Sequence, residues 1–268
     1  MNQGMQGFWT RSIARIMIRI GHNSDVGKIR SANEDFYQVV GPPEAPNGID
    51  AIFVVADGMG GHAAGEVASR TSVDSVITTL SSPDCQLGDM TEQELLEFLD
   101  SSFNKANEDV IEEGVRSPEK RGMGTTCTLG VIRGSFLFVA HIGDSRGYLF
   151  RDGVLSRITD DHSVVEEEVR KGLLTPEQAW ADSRRNIITR AIGLDHDPEV
   201  DTKCVELRSG DRIMFCSDGL NSMITDQEIE SILNQGDAAS SVQALIDAAN
   251  DAGGSDNITV VVADTPTR

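Results

Sequence analysis

Four aspartates recur in the same local setting, in which an apolar segment adjoins a carboxylate and a glycine. They are Asp57 in VVADG, Asp144 in AHIGDS, Asp218 in MFCSDG and Asp256 in GGSDN. Each alone resembles an ordinary turn aspartate, but carboxylates that cluster repel one another unless cations lie between them. Since no cysteine or histidine pair accompanies them, the oxygen ligands favour Mg²⁺ or Mn²⁺ over zinc. Two such ions about 3.5–4 Å apart can share one hydroxide and hold a phosphoryl group.

The stretch around the first of these aspartates, FVVADGMGGHAAGE, is the richest in glycine. An apolar strand ends at Asp57, and four glycines follow within eight residues: Gly58, Gly60, Gly61 and Gly65. Residues without a Cβ let the backbone approach a charged ligand closely, so the stretch predicts a metal or phosphate site. The alternative is a tight strand-to-helix turn with a capping aspartate.

Length, charge and cysteine usage limit the classes of protein. The 268 residues carry a net charge of -20, which argues against nucleic-acid binding because phosphates would be repelled. No run of 18 apolar residues is present to span a membrane. Four cysteines without a C-x-x-C pair indicate neither a zinc site nor a disulfide framework. We therefore expect one domain with a sizeable core in a reducing, cytoplasmic location.

The N-terminal segment has two interpretations. Residues 1–30 hold five of the 23 basic residues and one of the 43 acidic ones. As a helix, residues 8–20 would place apolar side chains on one face and arginines on the other, and could lie on an anionic membrane. As a half-buried strand, residues 16–20 would place Ile16, Ile18 and Ile20 on one face and Met17 and Arg19 on the other. We favour the strand, preceded by a disordered basic leader over residues 1–16.

Hydrophobic periodicity predicts strands and helices in alternating groups. Strands are predicted at 16–20, 36–40, 51–56, 125–132, 136–142, 147–150, 154–158, 204–207, 212–216 and 258–263. Helices are predicted at 63–80, from the capping box at Thr91 to about 113, after Ser163, Thr175 and Thr225, and at 238–249. This order predicts an α+β fold, an α-β-β-α sandwich in which two antiparallel sheets pack face to face with helices outside.

One segment, residues 164–185, breaks this pattern with short polar helices. It lacks a strong apolar stripe, so we expect a mobile surface flap. Long surface excursions near a site often carry selectivity.

Eight motifs, in chain order, carry a resemblance to a known family. They are RSANED, DGMGGHAAGE, GTTCTLG, GDSRGYL, DHS, NIITRAIG, SDGL and SDNIT. The chain resembles bacterial metal-dependent protein Ser/Thr phosphatases of the protein phosphatase 2C family over about residues 17–264. The resemblance implies a single phosphatase domain with the sandwich fold, two catalytic Mn²⁺ or Mg²⁺ ions and a third, weaker one. It also implies a role in signalling, with phosphorylated proteins as substrates and a Ser/Thr kinase and its targets as partners.

The resemblance also implies residue roles. Asp57 would bridge both ions, Gly58 would offer its carbonyl, and Asp218 and Asp256 would complete the direct ligands. Asp144 would help Asp218 to hold the third ion, Asp35 and Glu34 would hold metal-bound waters, and Asn257 would support the ligands from behind.

Two further residues are predicted to act on the substrate. Arg30 resembles the phosphate-binding arginine, whose planar fork suits two phosphate oxygens; the alternative is a surface ion pair with Glu34. His62 resembles the acid that protonates the departing oxygen, with Met59-Gly60-Gly61 intervening as in bacterial members; the alternative is packing of the helix start. His141 and His162 are interpreted as structural.

The implied mechanism is a single step, in which a metal-bridging hydroxide attacks the phosphorus of phosphoserine or phosphothreonine without a phospho-enzyme. Two alternatives remain open from the residues. Cys127 begins a C-x-x-G-x-x-R match to the nucleophile loop of thiol-based phosphatases, although its place inside a strand favours an inert thiol. A catalytically inactive phosphoprotein-binding adaptor would fit a chain lacking a metal aspartate, and none is missing.

Overall fold

Two antiparallel sheets form the centre of the protein. The computed structural model describes residues 18–61 and 63–266. The first sheet contains, in spatial order, β1 (Arg19–Asp25), β11 (Ile258–Asp264), β10 (Arg212–Cys216), β7 (Arg146–Arg151) and β8 (Val154–Arg157). The second contains β2 (Asp35–Val40), β3 (Ala51–Met59), β5 (Cys127–Arg133), β6 (Phe136–Ile142) and β9 (Asp201–Glu206), with β4 (Gly124–Thr125) paired to the end of β3.

The inner faces of the two sheets share a buried apolar layer. Phe53 of β3 meets Phe215 of β10 with ring centroids 4.9 Å apart, edge to face. Val55 and Val261 belong to the same cluster. Ile52 and Val54, which alternate with Phe53 along β3, instead belong to the cluster between the second sheet and its helices. From Ala51 to Ala56 the strand is apolar at every position because both of its faces are covered there.

Helices cover the two outer faces. The second sheet packs against α1 (Ala63–Leu80) and α2 (Glu92–Arg116), and the first against α5 (Asp218–Asn221), α6 (Asp226–Leu233) and α7 (Ala238–Asp251). A short 3₁₀ turn, Pro118–Lys120, follows α2. The predicted α-β-β-α sandwich is confirmed.

Capping explains where several helices begin. The hydroxyl of Thr91 accepts the backbone N–H of Glu94, and the Glu94 carboxylate accepts the N–H of Thr91, which is a complete capping box. Thr225 and Glu228 repeat the arrangement at α6. These reciprocal bonds satisfy N–H groups that the first turn leaves without helical partners.

The structure corrects several predicted boundaries. The strand predicted over 125–132 is interrupted at Thr126, whose backbone N–H and hydroxyl are both bonded to Asp57. The strand predicted over 16–20 begins at Arg19 and continues to Asp25, β9 begins at Asp201 instead of residue 204, and α5 was not predicted. The predicted leader over 1–16 lies outside the described residues.

The segment predicted to be a flap folds as two short helices, α3 (Val164–Arg170) and α4 (Pro176–Ala181). Its two ends lie together, since the N–H of Val164 donates to the carbonyl of Ile187 at 2.9 Å. Arg184 bonds both oxygens of Glu168, at 2.9 and 2.8 Å. The segment is therefore a defined excursion, and its mobility stays a prediction. None of the described helices combines the length and apolar character that a bilayer crossing requires.

Candidate metal centre

The pairing of β2 with β3 sets two carboxylates opposite each other. Asp35 and Asp57 are direct partners in the register of these strands. The backbone of Asp57 is fixed from the other side, because its N–H donates to the hydroxyl of Thr126 and its carbonyl accepts from the hydroxyl of Thr125, each at 2.9 Å. The end of β3 thus presents Asp57 from a rigid backbone.

Asp218 and Asp256 reach the same edge from the first sheet. Asp218 follows β10 as the first residue of α5, and Asp256 lies two residues before β11. Because β10 and β11 are antiparallel neighbours, with Cys216 opposite Val260, the end of one strand adjoins the start of the other. A Cβ on Gly219 would overlap the carbonyl oxygen of Asn257, so only glycine permits this approach.

Two carboxylate oxygens in this cluster are buried without a hydrogen-bond partner within the described part of the chain. They are Oδ1 of Asp35 and Oδ1 of Asp218. Buried polar atoms in native proteins nearly always have a partner, and an exception indicates an ion or another ligand. The other oxygen of Asp35 accepts from the hydroxyls of Ser217 and Thr259, both at 2.7 Å.

Burial and mutual repulsion raise the pKa values of the clustered carboxyls. Burial raises the pKa of Asp35 to about 7, although the Ser217 and Thr259 hydroxyls oppose it. Burial likewise raises the pKa of Asp218 to about 6, and the charge of Asp256 adds to it. Burial and then the charges of Asp35 and Asp218 raise the pKa of Asp57 well above its usual range. Negative charge gathered here is costly by itself, and a divalent cation would offset that cost.

The donor set fits a hard cation that also keeps water. It consists of oxygen atoms, as Mg²⁺ and Mn²⁺ prefer. Among residues 18–61 and 63–266, no three His, Cys, Asp or Glu side chains converge closely enough to hold an ion alone. Backbone carbonyl and water ligands would complete the shell, and a Cβ on Gly58 would overlap the carbonyl of Gly65. The tight backbone therefore requires glycine at this position, and the role of the Gly58 carbonyl as a ligand stays a prediction.

Asp144 lies in a turn that two hydrogen bonds with the buried His162 hold in place. Gly143 has a φ of 111°, and its N–H donates to Nδ1 of His162 at 3.1 Å. The backbone N–H of His162 donates to the Gly143 carbonyl at 2.7 Å. Burial, followed by the charge of Asp218, raises the pKa of Asp144 well above its usual range. The structure thus brings Asp144 near Asp218. The hydrogen bonds of His162 stabilise the turn at Gly143.

Arg30 points at the carboxylate cluster. Its Nη2 lies 2.7 Å from Oδ2 of Asp256, with half of the Arg30 side chain exposed. This hydrogen bond raises the pKa of Arg30, and the charges of Asp256, Glu34 and Asp57 act in the same direction. The observed ion pair joins Arg30 to Asp256, which is 226 residues away in the sequence.

Asn257 connects the ligand strand with the Arg30 loop. Its Oδ1 accepts the N–H of Glu34 at 2.8 Å, and its Nδ2 donates to the carbonyls of Val26 and Ala32 at 3.0 and 2.9 Å. A Cβ on Gly65 would overlap the Glu34 carboxylate. Asn257 therefore fixes the loop that carries Arg30, and Glu34 lies against the glycine-rich stretch.

Comparison with known proteins agrees with this geometry. Residues 31–261 match the family model described as Protein phosphatase 2C.

The chain belongs to the protein phosphatase 2C family.

Named relatives and solved structures extend the match. The chain is 39% identical over 249 residues to the serine/threonine protein phosphatase PstP of Mycobacterium tuberculosis, which covers 93% of this chain and 45% of PstP. It is 36% identical over 242 residues to the serine/threonine phosphatase stp of Listeria monocytogenes, which covers 90% of this chain and 93% of stp. The chain thus spans less than half of PstP and most of stp.

The crystal structure of the PstP catalytic domain in complex with two manganese ions superposes with a TM-score of 0.79 and 38% identity. The superposition covers 93% of this chain and 98% of that one. These matches support a metal-dependent protein serine/threonine phosphatase of the protein phosphatase 2C family. They do not favour an inactive adaptor or a thiol-based enzyme.

The environment of Cys127 also disfavours the thiol alternative. Cys127 is fully buried in β5, where it pairs with Ile142 of β6. Burial raises the pKa of its thiol to about 12, so the nucleophilic thiolate is not available near neutral pH. The C-x-x-G-x-x-R match is a strand segment and not a phosphate-binding loop.

The structure describes His141 and His162 but not His62. His141 is buried, with Nδ1 2.9 Å from the Thr128 hydroxyl and Nε2 3.0 Å from the Asp160 carbonyl. Burial lowers the pKa of His141 to about 4, as suits an uncharged structural residue. His62 lies outside the described residues, and its role as general acid stays a prediction.

Sequence analysis missed three hydroxyl residues at this edge: Thr126, Ser217 and Thr259. All three lie inside motifs that carried the family resemblance, GTTCTLG, SDGL and SDNIT. The signal was therefore present, but their contacts with Asp35 and Asp57 depend on pairing between strands distant in sequence.

Proposed function

We propose that the protein hydrolyses phosphoserine and phosphothreonine in other proteins with Mn²⁺ or Mg²⁺ held by Asp57, Asp218 and Asp256. One observation carries the proposal above the others. Carboxylates from both sheets meet at one edge, next to the half-exposed Arg30. There the pKa values of Asp35, Asp57 and Asp218 are raised, and two buried carboxylate oxygens have no hydrogen-bond partner among the described residues. A cation site beside an anion-binding side chain is suited to a phosphate ester.

The direct ligands in this proposal are Asp57, Asp218, Asp256 and the Gly58 carbonyl. Asp35 and Glu34 hold water around the ions, and Asp144 joins Asp218 at a third, weaker position. When bound, divalent ions lower the pKa of a water nucleophile and neutralise charge on the phosphoryl group. The clustered carboxylates hold the charge that attracts these ions.

Arg30 binds the phosphoryl oxygens of the substrate. Its guanidinium is half exposed and already forms a charge-assisted hydrogen bond with a carboxylate. A planar fork can exchange one pair of oxygens for another of similar spacing. Substrate phosphate therefore competes with Asp256 for the same donors. Arg30 lies on a loop that Asn257 and Gly254 anchor, which keeps the guanidinium at the rim.

His62 donates the proton that the departing serine or threonine oxygen requires. This assignment rests on its position in DGMGGHAAGE and on the suitability of imidazole for proton transfer near neutral pH.

Protein substrates contact the flap, residues 164–185. Two of its large apolar side chains, Leu173 and Trp180, are exposed, although most such side chains in the described residues are buried. A partner Ser/Thr kinase and its targets supply the phosphorylated proteins, in cytoplasmic signalling. Residues 17–264 form the phosphatase domain, and residues 1–16 are a leader without a part in catalysis.

The proposal is tested by phosphate release from phosphothreonine and phosphoserine peptides. Activity should vanish in excess EDTA and return with added Mn²⁺ or Mg²⁺. Equal hydrolysis with and without the chelator would reject the proposed function.

A further inference from the structure

A hydrogen-bonded series of side chains from both sheets ends on the carboxylate of Asp35. Ser24 lies on β1, Asp35 on β2 and Thr259 on β11, while Ser217 directly follows β10. Asn33 precedes β2 and joins the series through Ser24. The series therefore crosses the edge at which the proposed metal ligands gather.

The direction of each hydrogen bond follows from the donors available. Ser217 Oγ accepts the backbone N–H of Thr259 at 3.0 Å, so its own hydrogen can donate to Oδ2 of Asp35 at 2.7 Å. A second acceptor, the Asn257 carbonyl, is farther away at 3.4 Å. A serine hydroxyl has one hydrogen to give, and the shorter contact is with Asp35.

The Thr259 hydroxyl donates to the same carboxylate oxygen. It lies 2.7 Å from Oδ2 of Asp35 and 2.7 Å from Oγ of Ser24. With its single hydrogen directed to Asp35, it must accept from Ser24. Ser24 in turn accepts from Nδ2 of Asn33 at 2.8 Å. Every hydrogen in the series therefore points toward Asp35.

Both hydroxyls reach one oxygen of Asp35 and leave the other without a partner. Oδ1 of Asp35 has no hydrogen bond among the described residues, although the residue is only 6% exposed. The backbone of Asp35 is fixed as well, since it pairs with Asp57 in the β2–β3 register. Two donors on Oδ2 and a fixed backbone together set the plane of the carboxylate.

We propose that Ser217 and Thr259 are positioning residues, which hold Asp35 by Oδ2 so that Oδ1 faces the divalent-cation centre. The inference rests on the proposed function and adds to it the residues that orient one acidic group. Ser24 and Asn33 act one and two steps farther away, by fixing the direction of the Thr259 hydroxyl. Outer partners of this kind commonly set the affinity of a metal site.

A merely structural role for these hydroxyls has a different signature. It would lower the stability of the metal-free protein and leave the affinity of the folded protein for Mn²⁺ unchanged. A positioning role lowers the affinity itself, and excess Mn²⁺ then restores activity.

Thr259→Val and Ser217→Ala separate these roles, with Mn²⁺ alone as the titrant in calorimetry of the full chain. Each change should weaken Mn²⁺ binding by about 10- to 100-fold. Thr259→Ser, which keeps the hydroxyl, should bind nearly as the wild type does. Ser102→Ala is the matched control, because Ser102 is equally buried but donates to the Leu99 carbonyl within α2. Circular dichroism establishes that each variant is folded.

Wild-type Mn²⁺ affinity in folded Thr259→Val and Ser217→Ala would overturn the positioning role and leave metal-dependent hydrolysis intact. An equal loss in Thr259→Ser would also overturn it. A wild-type protein that binds no Mn²⁺ would overturn the proposed function together with this inference. Should Thr259→Val not fold, Ser24→Ala decides: weakened Mn²⁺ binding supports the series, and unchanged binding contradicts it.

Discussion

Asp35 and Asp57 stand directly opposite each other on neighbouring antiparallel strands. Like charges in this position destabilise a sheet, and burial at the same edge adds to the cost. The protein retains the pair at a point where Asp218 and Asp256 also converge. We infer that these opposed carboxylates lower the stability of the metal-free protein, and that a bound divalent cation restores it.

The metal-free protein should become more stable as the pH falls from 8 toward 6.5. The pKa of Asp35 is raised to about 7 in the folded protein, above the value of about 3.9 in an unfolded chain. Between these values the folded state binds more protons than the unfolded state, so the free energy of unfolding decreases as pH rises. Thermal unfolding in EDTA at pH 6.5 and 8 measures the effect.

The control for this experiment is Asp35→Asn, because buried histidines act in the opposite direction at lower pH. Burial lowers the pKa values of His141 and His162, so their protonation favours the unfolded state as pH falls. Asp35→Asn keeps both histidines and should show a smaller gain in Tm between pH 8 and 6.5 than the wild type. An equal gain in both proteins would contradict the role of Asp35.

Arg30→Ala should lower kcat/KM for a phosphothreonine peptide by about 10- to 100-fold, the loss expected for a hydrogen bond to a charged group. Arg30→Lys should recover only part of the activity because it lacks the planar fork. Lys28→Ala is the matched control on the same loop, where Lys28 pairs with exposed Asp251 at 3.7 Å. Steady-state kinetics with similar losses in Lys28→Ala and Arg30→Ala would argue against a specific phosphate contact.

His62→Ala tests the general acid by comparing leaving groups. Activity on phosphoserine, whose alkoxide leaves poorly, should fall by about 100- to 10,000-fold, whereas an aryl phosphate needs little proton donation. Initial rates on both substrates measure the ratio. Parallel losses would indicate a structural role at the start of α1.

Trp180→Ala tests the flap as a surface for protein substrates. Trp180 is half exposed on α4, and burying that surface against a substrate would contribute roughly 1 kcal/mol, about fivefold in kcat/KM. The loss should appear with phosphopeptides and not with a small aryl phosphate. Glu177→Ala, on the same short helix, serves as the control. A loss of the same size on both substrates would remove the flap from substrate selection.

Sequence patterns predicted the elements whose signals are local. The helix at 63–80 and the strands at 136–142 and 212–216 have the observed bounds, because their apolar periodicity stops at turn-forming residues such as glycine, serine, aspartate and proline. The strands that carry Asp35 and Asp57 are consecutive along the chain, and the structure pairs them antiparallel.

What the sequence did not predict depends on contacts between distant segments. The break at Thr126 exists because its hydroxyl and N–H bond to Asp57, 69 residues away. The Arg30–Asp256 pair spans 226 residues. Local propensity contains neither contact, because each arises only after the two sheets pack. The ligand roles came from the family resemblance, and they stay predictions.

The most direct test of the metal-dependent mechanism compares Asp57→Asn with Cys127→Ser in phosphate release from a phosphothreonine peptide with saturating Mn²⁺. Asp57→Asn should remain folded, because the substitution removes a repelled charge, but should lose several orders of magnitude in kcat because charge neutralisation and the water nucleophile are lost together. Cys127→Ser should retain nearly full activity, since its buried thiol has a raised pKa. An active Asp57→Asn that EDTA does not inhibit, beside an inactive Cys127→Ser, would contradict the account.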